Sequence, residues 1–294
     1  MTEQATREDR LAELHEQIAE GVAALANSDQ WAAMLVTAVR FPRYSLNNLL
    51  LIAAQAPNAT RVCGFRAWQQ MGRQVRKGEK GIRILAPVTY RTAGTVSDPV
   101  AAPVESTKGD GALAGHRQLV GFRVAHVFDV TQTDGAPLPH DPAGTPAGGD
   151  APAGLWVGLA DQVAGHGYAL ERGDCGSALG WTNGTTQSVR IGAALDDAQA
   201  VTTLAHELAH IQCGHIGNGN RSQARQEIEA ESVACIVTGA AGMAIDPYAI
   251  HYVTGWAGGD AEKVRAAATA VLTAARTILD ALALHLASDA SQDH

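Results

Sequence analysis

The sequence predicts an α+β chain built from two domains. Three observations favour this class: helical periodicity at both ends, short alternating strand patterns between them, and a Pro- and Gly-rich stretch near the middle. A length of 294 residues suggests two domains, and a hydrophobic content of 46% is ample for their cores. We predict an N-terminal domain of helices and a β-hairpin at 1–134, a linker at 135–153, and a mainly helical C-terminal domain at 154–288.

Helices are expected at the start of the chain. Aliphatic residues recur at helical spacing from Leu11 to Leu25 and predict an amphipathic first helix. Trp31 to Val39 is expected to form a second helix, which ends at Phe41-Pro42 because proline lacks an amide donor. Ser45 is typical of an N-cap, so a third helix is expected at about Leu46 to Gln55.

Strand patterns follow these helices. After a short helix at Phe65 to Met71, residues Gln74 to Tyr90 resemble two strands around the turn Lys77-Gly78-Glu79-Lys80-Gly81. Leu119 to Val130 alternates between apolar and polar residues and predicts a returning strand. Residues 93–115 are poor in apolar residues and are expected to form a flexible insertion.

The C-terminal domain is expected to combine a small sheet with several helices. The Asn183-Gly184 dipeptide is a strong hairpin signal, and the strand at Ser188 to Ile191 is a candidate edge strand that could pair with an extended peptide. An ordinary hairpin strand is an equally open interpretation. The other expected elements are a helix at Leu155 to Val163, a strand at Tyr168 to Arg172, and helices at about Ala198 to Cys213, around Gln226 to Ser232, after Asp246-Pro247, and at Ala261 to Leu286.

The pentapeptide His206-Glu207-Leu208-Ala209-His210 is the most informative motif. It matches H-E-x-x-H, the zinc-peptidase signature, and falls on a predicted helix that Asp196-Asp197 can cap. Residues four apart share a helix face, so His206 and His210 can bind one metal ion, here expected to be Zn²⁺. Glu207 is then placed as a general base for the attacking water. A chance match to the motif is the alternative.

A catalytic zinc site needs a third protein ligand. The longer pattern with a third histidine requires glycine at position 213 and histidine at 216, where the chain has Cys213 and Ile216. Glu227 and Glu231 are four apart on the next predicted helix; we expect Glu227 to be the ligand and Glu231 to orient a ligating histidine. Glu229 is the reserve ligand. A solvated acidic helix face is the alternative for all three.

Composition narrows the setting of the protein. The four cysteines form no C-x-x-C pair, which favours free thiols in the cytoplasm. The N-terminus lacks an apolar signal region, and no segment is expected to approach a membrane-spanning composition. We therefore expect a cytoplasmic protein without a membrane partner.

Charge is distributed unevenly along the chain, although the net charge is −8. Between Arg40 and Arg91, ten basic residues face one acid, Glu79, and several aromatic residues are interleaved with them. Cations that track phosphates and rings that stack on bases together favour single-stranded nucleic acid. The alternative is that the rings are core and the charges only solvate the surface. The predicted DNA-binding residues are Arg43, Tyr44, Arg66, Trp68, Arg73, Arg76, Lys77 and Lys80.

Three separated motifs, at Tyr44 to Leu50, Gly64 to Trp68 and Gly72 to Gly81, resemble the N-terminal domain of the antirestriction protein family ArdC. The C-terminal part, with H-E-x-x-H followed by Glu227 and Glu231, is similar to the ImmA/IrrE type of metallopeptidase. This resemblance implies a single-stranded-DNA-binding domain joined to a gluzincin-like zinc metallopeptidase domain. It also implies a role in protecting incoming mobile-element DNA from host restriction.

Two other functions stay open at this point. The chain is alternatively a non-catalytic single-stranded-DNA-binding protein whose metal site is only structural, or an acidic DNA mimic. If it is a peptidase, Tyr248, His251 and Tyr252 are candidates to stabilise the oxyanion, although packing is the favoured role of each.

Overall fold

The computed structural model describes residues 2–91, 117–136, 138, 150–217, 221–247 and 257–292. The expected insertion at 93–115, most of the expected linker, and the segment containing Tyr248, His251 and Tyr252 lie outside these residues. The helices are α1 (Thr2–Ala24), α2 (Ser28–Arg40), α3 (Leu46–Gln55), α4 (Phe65–Gln70), α5 (Leu155–Gly165), α6 (Asp197–Gln212), α7 (Gln223–Ala240) and α8 (Ala261–Gln292). The strands are β1 (Val62–Gly64), β2 (Arg73–Val75), β3 (Ile82–Arg91), β4 (Arg117–Asp129), β5 (Thr133–Gly135), β6 (Ala169–Gly173), β7 (Gly180–Asn183) and β8 (Ser188–Gly192).

Side-chain caps determine where two of the predicted helices begin. The Ser45 hydroxyl accepts a hydrogen bond from the Asn48 N–H at 3.5 Å, and α3 starts at the next residue. The Asp196 carboxylate accepts from the Gln199 N–H at 2.8 Å at the start of α6. Both caps satisfy an amide that has no partner within the helix, as the sequence predicts. The mixed α+β class is confirmed.

The N-terminal sheet has the strand order β1-β4-β3, and α3 covers its β3 edge. The amide group of Asn48 both donates to the Leu85 carbonyl at 3.0 Å and accepts from the Leu85 N–H at 2.9 Å. Gln55, two helical turns later, makes the same pair of bonds with the main chain of Arg83, both at 2.9 Å. Residues seven apart lie on the same face of a helix, so both side-chain amides of α3 point toward β3. They pair with the main chain of β3 at the edge where another strand would otherwise pair.

Strand β2 does not form a hairpin with β3, which differs from the simplest interpretation of the turn at Lys77 to Gly81. It pairs with β5 instead, and β3 pairs with β4 in antiparallel register, with Ile82 opposite Val127. The Arg76 N–H donates to the Gln132 carbonyl at 3.0 Å and so directs the chain toward β5 rather than back along β2.

The C-terminal sheet has the order β6-β8-β7, with β8 parallel to β6 and antiparallel to β7. The segment Ser188 to Ile191 belongs to β8 and is therefore paired on both sides. The prediction that it forms the edge strand is wrong, because β6 occupies the side that a simple hairpin would leave open. Strand β7 is the edge of this sheet that contacts the helix carrying the H-E-x-x-H motif.

Helices from the two predicted domains pack against each other. The buried indole N–H of Trp31 on α2 donates to the hydroxyl of Ser232 on α7 at 3.0 Å. Gly239 on α7 allows this approach, since a Cβ there would lie 2.9 Å from Cγ2 of Val39. Buried residues from both parts belong to one hydrophobic cluster. The division at 1–134 and 154–288 stays a prediction, and the described core is continuous across it.

Helix α8 contains a longer apolar stretch than we expect from the sequence. The stretch Ala261–Leu284 is long and apolar enough to cross a membrane by length and composition alone, which corrects the expectation that no segment approaches such a composition. Its side chains Val264, Val271 and Ile278 are fully buried, and the helix packs on α5 and α7. Packing within the protein therefore accounts for these buried side chains, whereas Leu284 in the same stretch is 74% exposed.

Candidate metal centre

Three predicted ligands meet between α6 and α7. His206 Nε2 and His210 Nε2 are 3.0 Å apart, and Glu227 Oε2 lies 3.4 Å from the first and 3.7 Å from the second. Four ligand atoms placed tetrahedrally about 2.1 Å from a zinc ion would be separated by about 3.4 Å. The spacing and the chemistry of these two imidazoles and one carboxylate therefore fit a shared divalent cation. Two helices deliver the donors, so the site depends on the packing of α6 against α7.

The charges around these donors favour a cation. Hydrogen bonding to His206 and His210 holds the pKa of Glu227 well below its usual range, so this side chain is a carboxylate at neutral pH. Burial disfavours the charged form of His206, but the carboxylates of Glu227, Glu207 and Glu231 outweigh it and raise the pKa of that imidazole. The donor cluster thus lies in a negative potential, which attracts a positive ion.

Glu207 lies beside the donors without joining them. Its side chain is buried, and its Oε2 accepts a hydrogen bond from the Thr182 hydroxyl on β7 at 2.7 Å. Strand β7 can approach α6 because position 180 is glycine; a Cβ on Gly180 would lie 2.7 Å from Cγ2 of Thr203. A side-chain hydrogen bond and one close backbone approach therefore hold the carboxylate in place.

A cleft of about 450 Å³ opens next to this carboxylate. His206, Glu207 and Glu231 line one part of it, and its other walls include small side chains of α6 and α7, Leu179 before β7, and the segment Ala244 to Asp246 after α7. A ligand in the cleft would meet one metal donor and the predicted base at once. Glu231 acts on His206 through its charge, and its predicted role in orienting a ligand stays a prediction.

Glu229 is not at the donor cluster, so its assignment as reserve ligand is wrong. It lies two positions after Glu227, a rotation of about 200° around a helix, and is fully buried. Its carboxylate accepts hydrogen bonds from His215 at 2.8 Å, Arg221 at 3.0 Å and Arg225 at 2.7 Å.

His215 is a residue near the donors that the sequence analysis does not predict. The longer zinc pattern places a histidine at position 216 and not at 215. The available signal is a histidine shortly after the end of the metal helix.

Cys213, His215 and Glu229 form a second group of side chains with metal-ligating atoms. Burial and the nearby Glu229 charge raise the pKa of the Cys213 thiol to about 12, so the sulfur stays protonated at neutral pH. The two guanidinium groups that bind Glu229 add positive charge at this position. We interpret the group as a hydrogen-bonded support rather than a second metal site.

The side chains of three predicted DNA-binding residues form hydrogen bonds within the N-terminal fold. Trp68 is fully buried and its indole N–H donates to the Phe128 carbonyl at 2.8 Å, so the prediction that it stacks on bases is wrong. Tyr44 is half-buried, and its hydroxyl donates to the Val62 carbonyl at 3.5 Å. Arg73 binds Thr133 through both its Nε and its NH2 group. These side chains support the sheet because aromatic and guanidinium groups also satisfy buried polar atoms.

The other predicted DNA-binding residues lie at the surface. Arg43 is 3.6 Å from Asp280, and Arg76 pairs with Glu79 at 2.8 Å, so acids offset both charges. The remaining three, Arg66, Lys77 and Lys80, are exposed, and the described part of the chain offers none of them an ion-pair partner. Phe65, which is 45% exposed and adjoins Arg66, is an accessible ring that is absent from the predicted DNA-binding residues.

Comparison with known proteins relates the N-terminal part to one family. Residues 4–123 match the profile of the family described as the N-terminal domain of anti-restriction factor ArdC, which confirms that part of the expected resemblance. An uncharacterised protein of Bacillus anthracis is 30% identical over 108 residues, which cover 33% of this chain and only 18% of that relative.

Two solved structures are also similar to this chain. The metal-free crystal structure of antirestriction ArdC from plasmid R388 has a TM-score of 0.48 and 19% identity, and covers 83% of this chain and 84% of that one. The Mn(II)-bound structure of the same protein has a TM-score of 0.45 and 21% identity, with 81% and 88% covered. Similarity of the C-terminal part to ImmA/IrrE metallopeptidases stays a prediction.

Proposed function

We propose that this chain is a metal-dependent peptidase joined to a single-stranded-DNA-binding domain, and that it serves antirestriction. The observation that supports the hydrolase most directly is the separation of roles around the cleft. His206, His210 and Glu227 converge on one point, while Glu207 stays outside their donor set and is held by Thr182. A purely structural zinc site usually has four protein ligands, whereas three donors beside a separate carboxylate are typical of a catalytic site. The match at residues 4–123 supports the antirestriction part.

The side chains have distinct tasks in this proposal. His206, His210 and Glu227 would hold the divalent cation, which when bound supplies Lewis acidity and lowers the pKa of water. Glu207 Oε2 accepts the Thr182 hydrogen bond, which leaves Oε1 to take a proton from a water molecule in the cleft. The same carboxyl group then gives the proton to the departing amine. Zn²⁺ is the cation we expect from the donor set, and the R388 relative is described with Mn(II).

Strand β7 is the proposed docking edge for a peptide substrate. It replaces the Ser188 to Ile191 segment, which lies in the centre of the sheet. Its residue Thr182 touches the predicted base, so an extended peptide paired with β7 would pass the cleft.

The substitution Glu207→Gln tests the catalytic part. Loss of a general base lowers the cleavage rate by about 10²–10⁴-fold, whereas the three donors and hence the bound metal are retained. Cleavage of a peptide library is measured by mass spectrometry, and metal content by elemental analysis. Glu262→Gln, at an 84% exposed position on α8, is the matched control. Equal cleavage by the Glu207 variant and its control would exclude Glu207 as the base.

The DNA-binding part rests on Arg66, Lys77 and Lys80. Replacing Lys77 and Lys80 by Ala is expected to weaken binding to oligo-dT and to reduce the salt slope by about 1.4, since each phosphate contact contributes about 0.7 on single strands. Fluorescence anisotropy at several salt concentrations measures both quantities. Lys263→Ala, a lysine on α8, is the control. An unchanged slope in the double variant would remove the turn from the DNA footprint.

The second candidate is a single-stranded-DNA-binding protein whose metal only stabilises the fold. The Thr182–Glu207 hydrogen bond also ties β7 to α6, so Glu207 has a structural contact that would be kept without catalysis. Entry of unmodified plasmid DNA into a restricting host separates the two functions. Full protection by the Glu207→Gln protein, with DNA binding intact, would support the non-catalytic function.

A further inference from the structure

We propose that His215 is a positioning residue that fixes the proton and the orientation of the His210 ring. The inference rests on the proposed metal function of His210 and names the residue that holds its ring in place. His215 Nδ1 lies 3.0 Å from His210 Nδ1, on the side of the ring opposite to the donor cluster. His215 Nε2 lies 2.8 Å from Glu229 Oε2. A line of three side chains therefore leads from a buried carboxylate to a metal donor.

The local backbone holds His215 beneath His210. Helix α6 ends at Gln212, and Gly214 has a φ of +67°, a left-handed conformation that glycine adopts without strain. The reversed chain lets the His215 N–H donate to the His210 carbonyl at 2.9 Å. Main chain and ring of His215 thus both contact His210, so the imidazole pair is built into the C-terminal end of the helix.

Charge determines which nitrogen of His215 carries the proton. The Glu229 carboxylate accepts at Oε2 from Arg221 and at Oε1 from Arg225, and it is ionised because these contacts and His215 outweigh its burial and lower its pKa. A carboxylate only accepts hydrogen bonds, so His215 Nε2 must be the donor. The proton that His215 donates to Glu229 is therefore on Nε2, and Nδ1 is the ring nitrogen that faces His210.

The proton on His210 follows from this arrangement. A His210 ring that offers Nε2 to a metal has its proton on Nδ1, and His215 Nδ1, 3.0 Å away, is placed to accept it. His210 Nε2 then has a lone pair directed toward His206 Nε2 and Glu227. Ligating histidines commonly donate their other ring N–H to a partner that fixes tautomer and ring orientation. Here the partner is a second histidine, which transmits the effect of a carboxylate that Arg221 and Arg225 hold in place.

The metal-free protein already tests the predicted tautomer. Long-range ¹H–¹⁵N correlation spectra are expected to show His210 protonated at Nδ1 and His215 protonated at Nε2 near neutral pH. The measurement requires no substitution and no metal. The reverse tautomer on His210 would overturn the inference without bearing on the metal proposal.

Two variants then separate positioning from folding. His215→Leu removes both hydrogen bonds and is expected to weaken Zn²⁺ binding by about 10–100-fold in competition with a chelator. His215→Gln can donate to Glu229 and accept from His210, so its affinity is expected to return to within about threefold of wild type. His166→Leu is the matched control, because the exposed His166 bonds to Gln212 on the same helix but not to a donor. Far-ultraviolet circular dichroism confirms that each variant is folded.

The outcomes distinguish the two proposals. If the wild-type protein binds no Zn²⁺, the proposed metal function fails, whereas the tautomer result stands on its own. If wild type and His215→Leu bind Zn²⁺ equally well, the positioning role is overturned and the metal function is retained. Equal losses in the Leu and Gln variants would also overturn it, because they would show a requirement for the imidazole volume rather than for its hydrogen bonds.

Discussion

The hydrogen bond between Trp31 and Ser232 gives the sharpest test of how the two parts of the chain are joined. Both side chains are fully buried, and the bond length is 3.0 Å. Ser232→Ala leaves the indole N–H in an apolar place without an acceptor. Such an unsatisfied donor costs about 1–3 kcal/mol, which corresponds to a fall in melting temperature of about 2–4 °C per kcal/mol in a large domain.

The assay is equilibrium unfolding in urea, followed by tryptophan fluorescence and by circular dichroism. Ser177→Ala, at an exposed turn position, is the control and should change the free energy of unfolding by less than about 0.5 kcal/mol. Adding Trp31→Phe to the Ser232→Ala protein removes the orphaned donor. The double variant should therefore be less destabilised than the sum of the two single variants, with a coupling of about 0.5–3 kcal/mol.

If Ser232→Ala behaves like Ser177→Ala, or if the double-variant cycle gives strict additivity, the Trp31–Ser232 hydrogen bond does not stabilise the contact between α2 and α7. A continuous core also predicts one unfolding transition with coincident probes. Two separate transitions, with the Ser232 effect confined to one of them, would show that α2 and α7 do not unfold as a unit.

Two further perturbations probe the support of the site and of the N-terminal sheet. Gly180→Ala should lower the free energy of unfolding by about 1–3 kcal/mol through overpacking, because the added carbon would lie 2.7 Å from Cγ2 of Thr203. Gly64→Ala is the control in urea unfolding, since a Cβ at that position would have no atom within 4 Å. Equal effects of the two substitutions would contradict the close approach of β7 to α6. Asp129→Asn should cost about 1.5–3 kcal/mol at neutral pH, since hydrogen bonds, foremost from Thr131, outweigh burial and lower the pKa of this carboxyl. The extra stability of the wild-type protein is complete above the usual aspartate pKa of about 3.9 and is lost as the pH falls through the lower pKa of the folded state. Urea unfolding at neutral and acidic pH measures this difference. A difference between wild type and Asp129→Asn that does not change with pH would contradict an ionised, hydrogen-bonded Asp129.

Local patterns predicted most of the helices and the main donor set. Ser45 and Asp196 begin their helices as expected, because N-capping depends on a few neighbouring residues. His206 and His210 face one another because helical spacing alone places residues four apart on one side. Glu227 required one more assumption, namely that the next helix packs with that face toward the first, and α7 does so.

Errors arose where long-range packing decided the outcome. The hydrophobic pattern of Ser188 to Ile191 is the same in an edge strand and a central strand, so only the pairing with β6 distinguishes them. Trp68 and Phe65 are both aromatic and lie on one short helix, yet one is core and the other is exposed. The burial of a ring depends on which elements cover it, and composition contains no such information.

The sequence alone determined the chemistry that this protein can present: two imidazoles and a base on one helix, carboxylates on the next, and a cationic turn, because side-chain identity and helical period are local properties. Only the tertiary structure decided which carboxylate reaches the imidazoles and which one is buried behind them. Glu227 and Glu229 differ by two positions, and the packing of α7 against α6 places the first at the donors and the second with His215. Which carboxylate reaches the imidazoles depends on how α7 is rotated against α6. That rotation is set by contacts between residues that are distant in the chain.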